Sequence, residues 1–412
     1  MSKPSSKSIP KQPEVNIGTS GHVDHGKTTL VEALTGKWTS AHSEELRRGI
    51  TIRVGYADAA VYRCSGLEPP SCYNTEGECT SGDAQLQRVV SFVDSPGHES
   101  LMANMLSGAA LMDGAILVVA ANEPVPQPQT KEHVQALKMI GVNRIVVAQN
   151  KVDLVSYEEA MQNQDRIVSF LESFGFKGLP LIPISALKKL NIDALLEAME
   201  KFIPTPQREV NAEPIMHVLR SFDVNRPGVA VADVRGGVIG GSLVRGTLNV
   251  GDEIEIRPGI YDQVKARYVP VVTKVTSLGT SAGLVDSVKP GGLVAIGTDL
   301  DPYYTKSDAL VGCVVGHPGT LPPEMTELTL KVELFDTVIG VSETLKVDPI
   351  KMNEVLRLNI GTATTAGTVT LLKGGLVYVK LRKPVCAAGG ARVAISRRVM
   401  DRWRLIGSAT LV

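Results

Sequence analysis

An α/β nucleotide-binding domain with a mostly parallel sheet, helices on both faces, followed by two antiparallel β-barrel domains, is the fold class this sequence predicts. Three observations predict it. From Val15 to about Pro206, short β-branched runs alternate with segments of helical period, which is the punctuation of βαβ units. A glycine-rich loop joins the first of those runs to the first helical segment. Beyond residue 214 helical periodicity almost vanishes, and short strand-like runs separated by Gly, Pro and Asp turns take over.

Taken in order, MSKPSSKSIPKQPEV opens the chain with Ser, Pro and Lys and no apolar signal stretch. Residues 1–13 read as a flexible tail on an intracellular, cytoplasmic protein. VNIGTS, VVSFVDS, AILVVAA, RIVVAQN and LIPIS are predicted strands, and KTTLVEALTG and QTKEHVQALKMIG are predicted helices. FIPTPQREVNAEP at 202–214 concentrates prolines and polar residues and is the first linker candidate; GHPGTLPPEM at 316–325 is the second. The predicted domains are therefore 14–208, 209–323 and 324–412, with an insert at 62–90 in the first.

Composition excludes several classes. With 412 residues and 43% hydrophobic content, two or three domains each have the material for a core. Lys plus Arg and Asp plus Glu are both 43, so any nucleic-acid surface has to be a local patch. AILVVAA at 115–121 is the longest apolar run, far short of the roughly 20 residues of a membrane helix, and no membrane partner is expected. Cys313 and Cys386 stand alone among apolar neighbours and read as buried thiols, the odd count of five cysteines fitting a reducing compartment.

The chemistry sits in four motifs. Gly21, four residues, then Gly26-Lys27-Thr28 follow a strand and open a helix. That spacing lets successive backbone N–H groups curl around phosphate oxygens, with Lys27 on the outer phosphates and the Thr28 hydroxyl on Mg²⁺. Asp24, His25, Gly26 and Thr29 complete the cradle. VDSPGHE at 93–99 follows a strand and places Asp94 to reach Mg²⁺ through water, the Gly97 N–H to reach the γ-phosphate, and His98 to orient the attacking water. A histidine in a Pro-Gly turn is otherwise an ordinary solvated loop residue. RRGIT offers Thr51 as a second hydroxyl on Mg²⁺, or simply the first residue of a strand. In NKVD at 150–153, Asn150 and Lys151 precede Asp153, whose carboxylate accepts from the N1 and N2 donors of guanine; adenine offers no such pair. SAL, Ser185-Ala186-Leu187, adds an Ala186 N–H for the guanine carbonyl oxygen. Either base motif alone is weak, and in this order, at strand ends, they specify GTP and GDP.

GHVDHGKTT, RRGIT, DSPGH, NKVD and SAL together resemble the translational GTPases, over nearly the whole chain. HSEELRRGITIRVGYAD, RSFDVNRPG, RGGVIGGS, KPGGLVAIGTDLDP and AISRRVMDRWRLIG resemble, within them, the gamma-subunit family of archaeal and eukaryotic translation initiation factor 2. That resemblance implies a slow, partner-stimulated GTPase that assembles with alpha and beta subunits and, with GTP bound, delivers initiator methionyl-tRNA to the small ribosomal subunit. It also implies a second magnesium at Asp24 and Gly49. The rival readings are an elongation-type factor serving all aminoacyl-tRNAs, and a GTPase subunit of a sulfate-activating enzyme.

Three stretches carry open alternatives. LMANMLSGAALMDG reads mainly as core packing, with an exposed partner groove as the alternative. Arg397, Arg398, Arg402 and Arg404 around Trp403 suit either tRNA phosphates or bridges to neighbouring domains. CSGLEPPSCYNTEGEC at 64–79 occupies the place where the resembled family often carries a zinc knuckle of two C-x-x-C pairs. Tetrahedral zinc wants four ligands, whereas Cys64, Cys72 and Cys79 are three, separated by seven and six residues, with no histidine in the insert. Zinc is not expected, and the preferred reading is an eroded knuckle left as an exposed loop.

Overall fold

A computed structural model describes residues 9–39, 54–98, 102–338 and 345–412. The chain divides into two compact units, one up to Pro206 and the other from Gln207. In the first, strands β1 (Val15–Ser20), β2 (Gly55–Cys64), β3 (Tyr73–Asn74), β4 (Ala84–Asp94), β5 (Gly114–Ala120), β6 (Ile145–Asn150) and β7 (Leu181–Pro183) form one sheet in the order β3-β2-β4-β1-β5-β6-β7. β4, β1, β5, β6 and β7 run parallel, and β2 pairs antiparallel with β4. Helices α1 (Lys27–Thr35), α2 (Met102–Ala109), α3 (Pro128–Ile140), α4 (Tyr157–Ser173) and α5 (Ile192–Phe202) are described in this unit.

β1, β5 and β6 are buried at every position, which is why they read as unbroken apolar runs and not as alternating ones. The core joins Ile17, Val90, Phe92, Ile116 and Val118 of the sheet to Leu30 and Leu34 of α1 and Leu195 and Met199 of α5. In LMANMLSGAALMDG, Met102, Met105, Leu106, Leu111 and Met112 are all buried, so core packing holds. Arg88, buried on β4, donates to Glu200 Oε1 at 2.7 Å and to the carbonyls of Met199 and Ile203. One guanidinium thus adds a second donor to the Met199 carbonyl, which already accepts from the Ile203 N–H, and caps the Ile203 carbonyl just beyond α5.

The insert corrects an expectation. Turns with exposed residues make up much of it, but its cysteines are not exposed with them: Cys64 closes β2 with 1% of its surface exposed, and Cys72 is fully buried. The Cys64 N–H donates to the Cys72 carbonyl at 2.8 Å, and β3 pairs with β2 immediately after. Cys64 and Cys79 are joined by a disulfide, so their sulfurs are not available as thiolate ligands. Long sequence gaps rule out a two-residue metal turn; they do not stop the paired β2 from bringing distant sulfurs together. Cys72, Cys313 and Cys386 are free and buried, and burial pushes the Cys386 thiol up to about 12.

In the second unit, the first barrel region comprises β8 (Ile215–Phe222), β9 (Val238–Arg245), β11 (Glu253–Asp262), β12 (Arg267–Thr280), β13 (Gly283–Val285), β15 (Val294–Thr298) and β16 (Val314–Gly316), with β10 (Leu248–Asn249) and β14 (Ser287–Val288) paired as a separate two-stranded sheet. The order β11-β16-β8-β9-β15-β12 closes on itself because β11 also pairs with β12. The second barrel, β17 (Glu324–Leu334), β18 (Val355–Ile360), β19 (Ala363–Lys373), β20 (Leu376–Cys386), β21 (Arg392–Val399) and β22 (Arg402–Leu411), is closed in the order β17-β20-β19-β18-β21-β22. Ile215, Val314, Leu321 and Cys386 form a small apolar cluster that joins the two.

The arginines near Trp403 separate into different roles. Arg397 is committed within its own barrel, to Glu354 Oε1 at 2.5 Å and to the carbonyls of Asp348 and Pro349. Arg404 is buried. A different arginine, Arg357, lies over the Trp403 ring at 4.7 Å. Arg398 is exposed and pairs with Asp401, and Arg402 is exposed.

Candidate nucleotide site

The loop between β1 and α1 is held in a conformation that side chains oppose. Gly21 has φ +138°, and a Cβ there would lie 2.2 Å from the Val118 carbonyl oxygen; at Gly26, φ +90°, it would lie 2.4 Å from Asn150 Nδ2. Both positions therefore demand glycine. Asp24 is exposed in the left-handed region, φ 62°. His25 is buried, its Nδ1 donating to the Val118 carbonyl at 3.1 Å. Burial pushes His25 down to about 4, so it is a neutral hydrogen-bonding group. Lys27 is buried and donates to the carbonyls of Gly21 at 3.0 Å and His22 at 2.6 Å. Desolvation lowers its ammonium to about 8, opposed by the charges of Asp94 and Asp24.

Asp94, at the carboxyl end of β4, gathers three hydroxyls. Thr19 Oγ1 donates to Oδ1 at 2.9 Å, and Thr28 Oγ1 and Thr39 Oγ1 donate to Oδ2 at 2.8 and 2.5 Å. A carboxylate with hydroxyls and no nitrogen or sulfur suits a hard, oxygen-seeking cation, so these residues fit Mg²⁺. Gly97 lies against the loop: a Cβ there would meet Lys27 Nζ at 2.5 Å and the Val23 nitrogen at 3.1 Å. His98 follows on an exposed bend. Thr51 and Gly49 lie outside the described residues.

The base side is assembled by Asn150, buried at the end of β6. Its Nδ2 donates to the His25 carbonyl at 2.9 Å and its Oδ1 accepts from the Ala186 N–H at 2.9 Å. One side chain ties the phosphate loop to the SAL loop. The Ala186 N–H, which the sequence directs to the guanine carbonyl oxygen, is thus engaged with Asn150. Ser185 is buried and its Oγ accepts from the Lys188 N–H; Leu187 is 76% exposed. Lys151 adopts φ 63° and leads into a single 3₁₀ turn that carries the exposed Asp153. Glu123 faces both Lys151, at 3.6 Å, and His25, at 3.3 Å. Thr28 and Thr29, on the first turn of α1, are half-buried.

Four contributors escape sequence reasoning: Thr19, Thr39, Glu123 and His133. Thr19 sits inside the first strand run and Thr39 beyond the first helix, and neither spacing marks a hydroxyl directed at Asp94. His133 falls within QTKEHVQALKMIG beside Val134, Ala136 and Leu137 on the buried face of α3, so its helical period was a legible sign of a core-facing histidine.

Family models match three successive stretches: the elongation factor Tu GTP binding domain at residues 12–205, elongation factor Tu domain 2 at 236–316, and the C-terminal domain of initiation factor eIF2 gamma at 326–411. The chain is similar to translation initiation factor 2 subunit gamma of Archaeoglobus fulgidus, 57% identical over 97% of this chain and 94% of that protein. It is 54% identical to the Methanocaldococcus jannaschii subunit over 97% of this chain and 98% of that one. Among solved structures, a bacterial selenocysteine-specific elongation factor matches with a TM-score of 0.73 at 23% identity, over 97% of this chain and 58% of that one, which speaks to the fold alone. With the glycine-rich, DSPGH and NKVD loops gathered at the carboxyl ends of β1, β4 and β6 and this likeness along almost its full length, the chain belongs to the translation initiation factor 2 gamma-subunit family of translational GTPases.

Proposed function

We propose that this GTPase subunit, with GTP bound, holds initiator methionyl-tRNA and delivers it to the small ribosomal subunit, in a cytoplasmic assembly with alpha and beta subunits. Residues 14–208 act as the switch, and 209–323 and 324–412 as the two barrels through which it is read. The observation that carries the reading is the similarity to gamma subunits along nearly the whole chain, the C-terminal barrel included.

The residues take roles that follow from their positions. Lys27 exchanges the Gly21 and His22 carbonyls for the outer phosphates, a larger opposing charge. Thr28 and Thr51, with Asp94 through a water, would hold Mg²⁺, which when bound neutralises phosphate charge; Asp24 and Gly49 are assigned a second magnesium. Asp153 accepts from guanine while Asn150 keeps the two loops in register. Gly97 donates to the γ-phosphate, and His98, on its exposed bend, orients the attacking water. Loss of the γ-phosphate releases the segments around Thr51 and His98 and with them the tRNA.

The test is purification with candidate alpha and beta subunits, followed by initiator and elongator tRNA binding with GTP and with GDP. Preference for the initiator with GTP is expected; equal affinity for both tRNAs would sink the initiation reading in favour of an elongation-type factor. His98→Ala is expected to slow partner-stimulated hydrolysis by about 100-fold while leaving GTP affinity in place, measured by phosphate release.

A further inference from the structure

Outside the four motifs, one buried side chain reaches the phosphate-binding loop from another element. We propose that His133 is a positioning residue of the nucleotide site, its neutral imidazole holding the entry of the phosphate loop through the Gly21 peptide. The proposal rests on the nucleotide-binding reading of that loop.

β1 pairs with its neighbours only as far as Ser20, so the Gly21 N–H is the first donor to leave the sheet. A buried backbone N–H needs an acceptor. α3 supplies it: His133, 1% exposed, places Nδ1 at 3.0 Å from the Gly21 nitrogen and at 3.1 Å from Ser20 Oγ. A backbone N–H has no choice but to donate, so Nδ1 carries a lone pair and any ring proton sits on Nε2. The Gly21 carbonyl, on the other side of the same residue, accepts from Lys27 Nζ. Gly21 is therefore pinned on both faces by side chains from two helices.

The environment keeps the ring an acceptor. Burial and then the neighbouring charge of Lys27 press its proton affinity down to about 3. A protonated ring would present a donor to the Gly21 N–H and break the contact. Because Gly21 is confined by Val118 as well, the loop N–H groups are aligned before the nucleotide arrives, and binding spends less on ordering them.

The experiment compares His133→Leu and His133→Asn with the wild-type chain, reading the affinity and dissociation rate of fluorescent GDP, with circular dichroism to confirm folding. The asparagine carbonyl reaches the position of Nδ1; the leucine offers volume without an acceptor. An orphaned buried N–H predicts binding about 10-fold weaker or worse for His133→Leu, through faster release, with His133→Asn within about 3-fold of wild type. Leucine binding as tightly as wild type overturns the proposal, as does asparagine binding as weakly as leucine. Nitrogen-15 NMR of the wild-type imidazole gives an arm that needs neither a folded leucine variant nor a nucleotide. An unprotonated Nδ1 coupled to the Gly21 N–H supports the proposal, and a proton on Nδ1 overturns it. Failure of the wild-type chain to bind GDP or GTP defeats the nucleotide reading instead, and the NMR result still decides the hydrogen bond.

Discussion

Asp94 receives three hydroxyl donors on two oxygens, and each of those bonds is strengthened by the carboxylate charge. Thr28 and Thr39 share Oδ2, so a cation drawn to that oxygen competes with hydroxyls already in place. Asp153 is the opposite case, an exposed carboxylate whose energetic role begins only when a base arrives. Asp153→Asn turns one acceptor into a donor facing guanine donors. It should weaken GTP by roughly 10-fold or more with little change in the melting temperature. Calorimetry with GTP, and with xanthosine triphosphate as the matched partner, checks both halves of that statement. Asp94, Lys27, Asn150 and Asp153 were legible in the sequence because fixed spacing after a strand carries their chemistry. Thr39 and Glu123 were not, since only the folded chain brings them beside Asp94 and His25.

At the scale of elements, Arg88 shows how a helix end is secured from across the sheet. It holds Glu200, the Met199 carbonyl of α5 and the Ile203 carbonyl just past it in an enclosed site, and desolvation raises the Glu200 carboxyl against the pull of the arginine. Arg88→Met would leave that acid without its charge partner and the Ile203 carbonyl without the guanidinium, a loss of about 3 kcal/mol or more for the first unit by denaturant titration. Removing both partners, Arg88→Met with Glu200→Leu, should recover much of it. The insert offers a second test. The Cys64–Cys79 bond closes a sequence separation of 15 residues, for which chain entropy suggests about 3 kcal/mol. Cys79→Ser should lower the unfolding midpoint of the first unit under oxidising conditions and not under reducing ones. No difference between those conditions would show that the bond is not formed.

On the scale of the whole molecule, histidines that fold in the neutral form couple stability to acid. His133 and His217 are pushed by desolvation from 6.5 to about 3 and about 4, and a Cβ on Gly361 of the second barrel would sit 3.1 Å from the His217 ring. Below pH 6.5 the unfolded chain takes up protons that the native chain refuses. Stability is therefore full above that pH and falls as pH drops towards the folded values, by about 1.4 kcal/mol per pH unit for His133. Thermal melts at pH 7 and pH 5 should show the fall, and His217→Gln should flatten it for the barrel unit. An unchanged slope would place the acid sensitivity elsewhere.

The sequence alone determined the order of an α/β domain and two barrels, and it marked the glycine-rich loop and the NKVD and SAL loops that the fold brings together. Those depend on periodicity and on short fixed spacings, and both are local properties of the chain. Tertiary structure alone decided the rest. It joined Cys64 to Cys79 and buried Cys72, because strand pairing brings sulfurs together across gaps that exclude a tight metal turn. It turned Arg397 inward to Glu354, because an acid and two backbone carbonyls converge there on one guanidinium. And it set His133 under Gly21, because the strand stops pairing one residue before the phosphate loop begins and the orphaned N–H takes the acceptor that α3 presents.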